Sequence, residues 1–246
     1  MFKKYDSHMH FNMKVGDIIG DFKRQVYNLE GFILILNTEK EKKIFLNDFM
    51  EEFKYLFPKS AIAVNYKIIN FNFIKKLKDR HIKFGVKLHP RLSGITKNDF
   101  NSINENLKNI DFNFIIIDCF YYGSKIETHI NLDLSVFIAS NFKNINILLA
   151  HGGGHKTLEF MLYTRELKNI YYDFSFTVKY LYDSSVWIDI QKAFKYNYKR
   201  ILFGSDYPDV TVNEAQFYYN KLIENLEFEK ERELFYNKNF EEFMEL

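Results

Sequence analysis

The chain has 246 residues, 47% hydrophobic and 27% charged, with a formal net charge of +2. This is the composition of an ordinary folded protein; the interspersed, nearly equal acidic and basic residues argue against nucleic acid as a partner, and no apolar run is long enough to cross a membrane. The single cysteine, Cys119, excludes an internal disulfide and fits a reducing compartment, and Lys3 and Lys4 lack the apolar stretch of a signal peptide behind them, so a cytoplasmic protein is expected.

Short β-branched and aromatic runs alternate with helical patterns from end to end. The first strand is predicted over residues 4–11. There Asp6-Ser7-His8-Met9-His10-Phe11 should place Asp6, His8 and His10 on one face and Ser7, Met9 and Phe11 on the other. Ile18, Ile19, Phe22, Val26 and Leu29 recur at helical spacing up to Gly31, and 32–36 reads as a buried strand. Ile44, Phe45, Phe49, Phe53 and Leu56 mark a second helix, expected to end at Pro58. Residues 61–66 form the third strand, Ile74 and Leu77 sit on a short helix, and 84–89 form the fourth strand, closed by Pro90. Thr96-x-x-Asp99 resembles a capping box with Asp in place of Glu and opens a helix through Phe100, Ile103 and Leu107. Strands at 114–119, 145–150, 170–175 and 201–204 follow. Helical patterns lie between them at 134–142, through Leu158, Met161, Leu162 and Arg165, and through Val186, Ile190, Ala193 and Phe194. Two more, at 214–226 and 229–246, finish the chain. The aromatic content of 18% is read as core filling.

The strands are continuous apolar runs, as in a parallel sheet covered by helices on its faces. Eight alternations without a linker in this length favour an α/β fold with one domain over 1–246, a closed (β/α)8 barrel of the TIM type rather than an open sheet. In such barrels the active site collects at the C-terminal ends of the strands. His8 and His10 end the first strand, Lys87 and His89 the fourth, Asp118 the fifth; His151 follows the sixth and Asp206 the eighth. By parity Gly85, Lys87 and His89 share a face opposite Phe84, Val86 and Leu88, and Ile116 and Asp118 share one opposite Ile117 and Cys119. Cys119 should therefore pack against a helix and not act as a nucleophile.

Four motifs in this order, Asp-Ser-His8-Met-His10-Phe, Gly85-Val-Lys-Leu-His-Pro90, Leu148-Leu-Ala-His151-Gly-Gly-Gly154 and Arg200-Ile-Leu-Phe-Gly-Ser-Asp206-Tyr-Pro208, resemble the amidohydrolase superfamily. The closer resemblance is to its amidohydrolase-related branch of metal-dependent hydrolases and decarboxylases, and Asn237 to Phe240 resembles that family's closing helix. The resemblance implies one divalent metal ion, zinc or manganese, held by His8, His10 and Asp206. It further implies that Asp206 carries the proton of an activated water, and that His151 polarises the substrate or stabilises a developing oxyanion. The chemistry is coherent in itself: a divalent metal can bring the pKa of water to about 7, a carboxylate in reach can take the proton, and an imidazole can donate where charge develops.

The family usually has a histidine ligand at the end of strand five, where this chain has Asp118. Asp118 is either an oxygen ligand, which shifts preference from zinc towards manganese, or the partner a buried Lys87 requires. Lys87 and His89 are candidate substrate contacts, with the ion pair and loop packing as their alternatives. His155 is a candidate substrate contact or a first-turn residue, His129 a replacement for the missing ligand, and His81 an exposed helix end. There is no Gly-x-Ser-x-Gly elbow, phosphate loop, dinucleotide fingerprint or Cys-x-x-Cys. The expected activity is metal-dependent hydrolysis of an amide, ester or lactone bond in a small polar substrate. Decarboxylation on the same site, or a degenerate barrel that binds a small molecule or protein, is the alternative. A small molecule is the expected partner, and a homo-oligomer is left open.

Overall fold

The computed structural model describes residues 3–121 and 130–246. Eight parallel strands pair in sequence order: β1 (Tyr5–Met9), β2 (Gly31–Leu36), β3 (Ala61–Asn65), β4 (Lys83–Leu88), β5 (Phe114–Asp118), β6 (Asn146–Ala150), β7 (Ile170–Asp173) and β8 (Ile201–Leu202). Backbone bonds of 2.8 Å from Ser7 N to Phe203 O, Asp206 N to His8 O and His10 N to Tyr207 O join the two ends of the sheet. The result is a (β/α)8 barrel of the TIM type.

Strand alternation sorts the apolar residues into two layers. Ile33, Ile35, Ala61, Ala63, Ile116, Leu148 and Leu202 fill the interior, while Phe32, Leu34, Ile62, Val86, Ile117 and Cys119 meet the surrounding helices. The aromatic excess mostly packs this outer layer: Phe22 meets Phe32, Phe49 and Phe53 edge to face beneath the helix Ile18–Val26. The helix Asn239–Met244 plugs one end of the barrel. Its Phe240 stacks on Tyr5 at 4.5 Å, and its Phe243 packs on Phe114 and Tyr171. Lys83 donates to Met244 O and Glu245 O, and Asn146 to Phe243 O. Every one of these partners sits at or near the start of its strand, so the opposite, C-terminal end is left for the site. No helix among the described residues is long and apolar enough to cross a membrane.

Several expected boundaries shift. Pro58 lies within a 3-10 turn, Lys54–Lys59, and the preceding helix already ends at Glu52. The pattern at 229–246 resolves into a π turn, Leu234–Lys238, followed by the terminal helix. Strands seven and eight stop at Asp173 and Leu202, before the predicted 175 and 204. Side chains rather than the ladder hold the backbone beyond them: Asp173 Oδ1 accepts from Ser175 N at 2.9 Å and Asp6 Oδ1 from Ser205 N at 3.0 Å. The parity expected of β4 and β5 is present, but that of β1 is not. Asp6 lies in register with Phe32 and Met9 with Leu34, both helix-facing, across a register shift. A bulge of this kind turns one side chain over. Asp6 thus faces away from His8, and its Oδ1 accepts from His8 N at 3.0 Å.

Candidate functional site

A cavity of about 620 Å³ opens at the C-terminal ends of the strands, and His8, His10, Lys87, His89, Asp118, His151 and Asp206 all line it. Backbone shape delivers two of them: His151 and Asp206 hold positive φ, 65° and 67°. His151 opens the run Gly152-Gly153-Gly154, where φ is also positive and a Cβ on Gly153 would come within 2.4 Å of the Phe160 ring. Only glycine fits such a turn against the following helix.

The polar groups form two halves. In the first, His8 Nε2 lies 3.4 Å and His10 Nε2 3.6 Å from Asp206 Oδ1, and all three atoms fall within 4.8 Å of one another. His8 Nδ1 is held from behind, 3.3 Å from Asp173 Oδ2 and 3.1 Å from Ser175 Oγ. That places the proton on Nδ1 and turns the Nε2 lone pair to the cavity, the arrangement usual for metal-ligating imidazoles. Burial, reinforced by the Lys87 ammonium, lowers the His8 pKa to about 3, and burial holds His10 well below its ordinary value. Both rings are therefore neutral donors. Burial also pushes the Asp206 carboxyl up to about 7, against the pull of His151 and Lys87. Two neutral imidazoles and a carboxylate converging on one point fit a divalent ion. The Lys87 ammonium, 3.5 Å from His8 Nε2, opposes a cation there, and Asp118 beside it offsets that charge.

The second half centres on Asp118 Oδ2. Lys87 Nζ at 3.5 Å, His89 Nε2 at 3.5 Å and His151 Nε2 at 3.3 Å surround it. Desolvation would raise the Asp118 pKa, but His89, Lys87 and His151 outweigh it and hold the carboxyl well below its usual range. His89 Nδ1 accepts from Leu92 N, so its proton sits on Nε2, towards Asp118; burial keeps this ring neutral, its pKa lowered to about 4. His151 Nδ1 donates to Ser175 O at 2.9 Å. Burial acts to lower the His151 pKa, yet Asp118, with Asp206 and Asp173, raises it to about 9. It is an imidazolium at neutral pH.

The structure therefore brings Asp118 together with Lys87, His89 and His151 and not with the His8, His10 and Asp206 donor set; the ion pair left open by the sequence is formed. His155 does not enter the cavity. It is exposed and its ring lies against Tyr121. His129 lies outside the described residues. His81 is exposed, and Cys119 is buried with its thiol near Ile117 O, burial pushing its pKa up. The sequence reading missed Asp173 and Ser175. Asp173 is fully buried and also accepts from His151 N at 3.1 Å and from Ser175 Oγ. Its signal was a carboxylate at a strand's C-terminal end, the same place as Asp118.

No protein-family model and no curated protein matches the chain. Solved structures share its fold. A TIM-barrel protein from Bordetella bronchiseptica superposes with a TM-score of 0.67 at 14% identity, over 94% of this chain and 83% of that one. An amidohydrolase from Burkholderia multivorans with bound zinc gives 0.64 at 13% identity, over 99% of each chain. A D-hydantoinase gives 0.52 at 10% identity, over 83% of this chain and 57% of its own. At these identities the likeness is one of fold, and the presence of an amidohydrolase among the neighbours agrees with the family that the four strand-end motifs resemble.

Proposed function

We propose that this chain is a metal-dependent hydrolase acting on an amide, ester or lactone bond of a small polar substrate. The observation that carries the reading is the convergence of His8 Nε2, His10 Nε2 and Asp206 Oδ1 on one point of the cavity, with His8 fixed in the ligating tautomer from behind. These three residues would hold the ion. Bound there, a zinc or manganese ion supplies Lewis acidity that makes water nucleophilic near neutral pH. A zinc-bearing amidohydrolase of the same fold supports the assignment.

The remaining work falls to side chains. Asp206, 3.4 Å from His8 Nε2 and 3.6 Å from His10 Nε2 on the cavity wall, can take the proton of a water there and return it. His151, anchored through Nδ1, can share the Nε2–H it directs at Asp118 Oδ2, 3.3 Å away, with a substrate oxygen where negative charge grows. Lys87 and Asp118 neutralise each other beside it and keep the floor polar without adding net charge.

The test is metal content after dialysis, then turnover on a panel of esters, lactones and amides. Wild-type protein should retain about one divalent ion per chain, as three protein donors would hold. Asp206→Asn should abolish turnover and weaken metal retention. His151→Ala and Asp118→Ala should keep the metal, and His151→Ala should lower the rate about 100-fold or more, the usual loss of an oxyanion donor. A wild-type protein that holds no ion would sink the proposal, and metal loss in His151→Ala would make that residue a ligand.

A further inference from the structure

Phe176 also lines the cavity, and it too holds positive φ, 59°, with ψ −49°. A bulky residue is ordinarily kept out of this conformation and persists in it where the fold enforces it, most often at functional sites. For His151 and Asp206 the consequence is clear, because the turn carries an ionisable group to the cavity. Phe176 brings no such group. What it brings is a ring. That ring stacks on Tyr180 at 5.2 Å and 18° and meets Phe120 edge-on at 5.2 Å. Phe120 in turn meets the His151 ring at 5.7 Å. All three aromatics line the cavity, and Tyr180 is 65% exposed. One wall is thus a continuous aromatic surface running from His151 to the rim, facing an otherwise ionic floor.

We infer that Phe176, with Phe120 and Tyr180, is a specificity-determining residue that receives a flat apolar group of the substrate, an aryl or similar planar ring carried next to the hydrolysed bond. What happens to that bond rests on the hydrolase reading; recognition by the wall requires binding alone. A planar ring gains offset-stacked or edge contacts with such a surface beyond the burial of its area, while a short aliphatic group leaves the wall wet. Phe176 packs one side against the outer core, and its positive-φ backbone sets the ring beside Phe120 and Tyr180 on the cavity wall.

Phenylacetate, cyclohexylacetate and acetate share the carboxylate that such a hydrolysis would release and differ only in what they offer the wall. Titration calorimetry on the purified, metal-loaded protein should give phenylacetate about tenfold tighter than acetate, with cyclohexylacetate between them. Phe176→Ala should bring phenylacetate to within about threefold of acetate by removing the ring contact. Phe176→Gly should do the same and melt no lower than Phe176→Ala, because both lose the ring's packing while only glycine adopts positive φ without steric cost. Equal binding of phenylacetate and acetate by wild type, an aryl preference that survives Phe176→Gly, or loss of both ligands together would overturn the inference. The hydrolase reading fails by a separate result, absence of metal and of turnover in a protein that still prefers the aryl carboxylate.

Discussion

At the scale of single residues, the proton positions on three histidines, His8, His89 and His151, divide the site. His8 and His89 are both buried and both neutral, yet they present Nε2 in opposite tautomers, bare on His8 and protonated on His89. Asp173 takes the Nδ1–H of His8, and the Leu92 N–H occupies Nδ1 of His89. Only the first arrangement leaves a lone pair for an ion. Asp173→Asn isolates this effect. Its Oδ1 can still accept from His151 N and Ser175 N, while the group replacing Oδ2 becomes a donor facing His8 Nδ1. His8 should switch its proton to Nε2, and metal affinity should fall about 10- to 100-fold, as when an outer partner of a ligating histidine is lost. Nitrogen-15 chemical shifts of the His8 ring in the metal-free protein report the switch directly. Unchanged shifts together with weakened metal binding would assign Asp173 a purely structural role.

At the scale of elements, β4 and β5 could be read from their sequences because a parallel strand alternates strictly between interior and helix layer. That alternation puts Lys87 and Asp118 inward and Val86 and Ile117 outward. β1 could not be read the same way. Its register shift between Asp6 and Met9 leaves no trace in residue type, so Asp6 was expected on the face of His8 and lies on the other. The early ends of β7 and β8 were hidden for a related reason: Asp173 and Asp6 capture backbone N–H groups that a continued ladder would have used. His155 was placed near the site because the three glycines before it could not be followed through their turn. The terminal helix carries a prediction of its own. Phe240 is fully buried against Tyr5 at the end of the barrel away from the site. Phe240→Ala should cost about 3–5 kcal/mol, the usual loss for a buried phenylalanine, seen as a lower denaturation midpoint. Metal content and ligand affinity of the folded fraction should not change; a loss of metal would mean that the plug and the site are coupled through the barrel.

At the scale of the whole molecule, folding buries a set of ionisable groups whose pH dependences oppose one another. His8 and His89, lowered to about 3 and about 4, remain neutral in the folded chain down to pH values where an unfolded chain, near 6.5, is already protonated. Between those limits the unfolded state binds more protons, so stability rises with pH. Their contribution is complete above about pH 6.5 and is lost as pH falls towards 4. Burial raises Asp6 to about 7, as it does Asp206, and this works the other way: the folded state binds the proton more tightly, and that stability is lost as pH rises through 7. His151, raised to about 9, adds stability that is present below about 6.5 and lost as pH rises through 9. The wild-type curve is therefore a difference of large terms, and a single variant separates one of them. In metal-free protein, His89→Gln keeps a donor towards Asp118 and removes the titration. Between pH 7 and pH 4 wild type should lose about 3 kcal/mol more stability than the variant, the free energy corresponding to lowering His89 from 6.5 to about 4. Urea denaturation midpoints measured across that range test this, and parallel curves for the two proteins would mean that His89 is protonated in the folded chain and that Asp118, not burial, governs it.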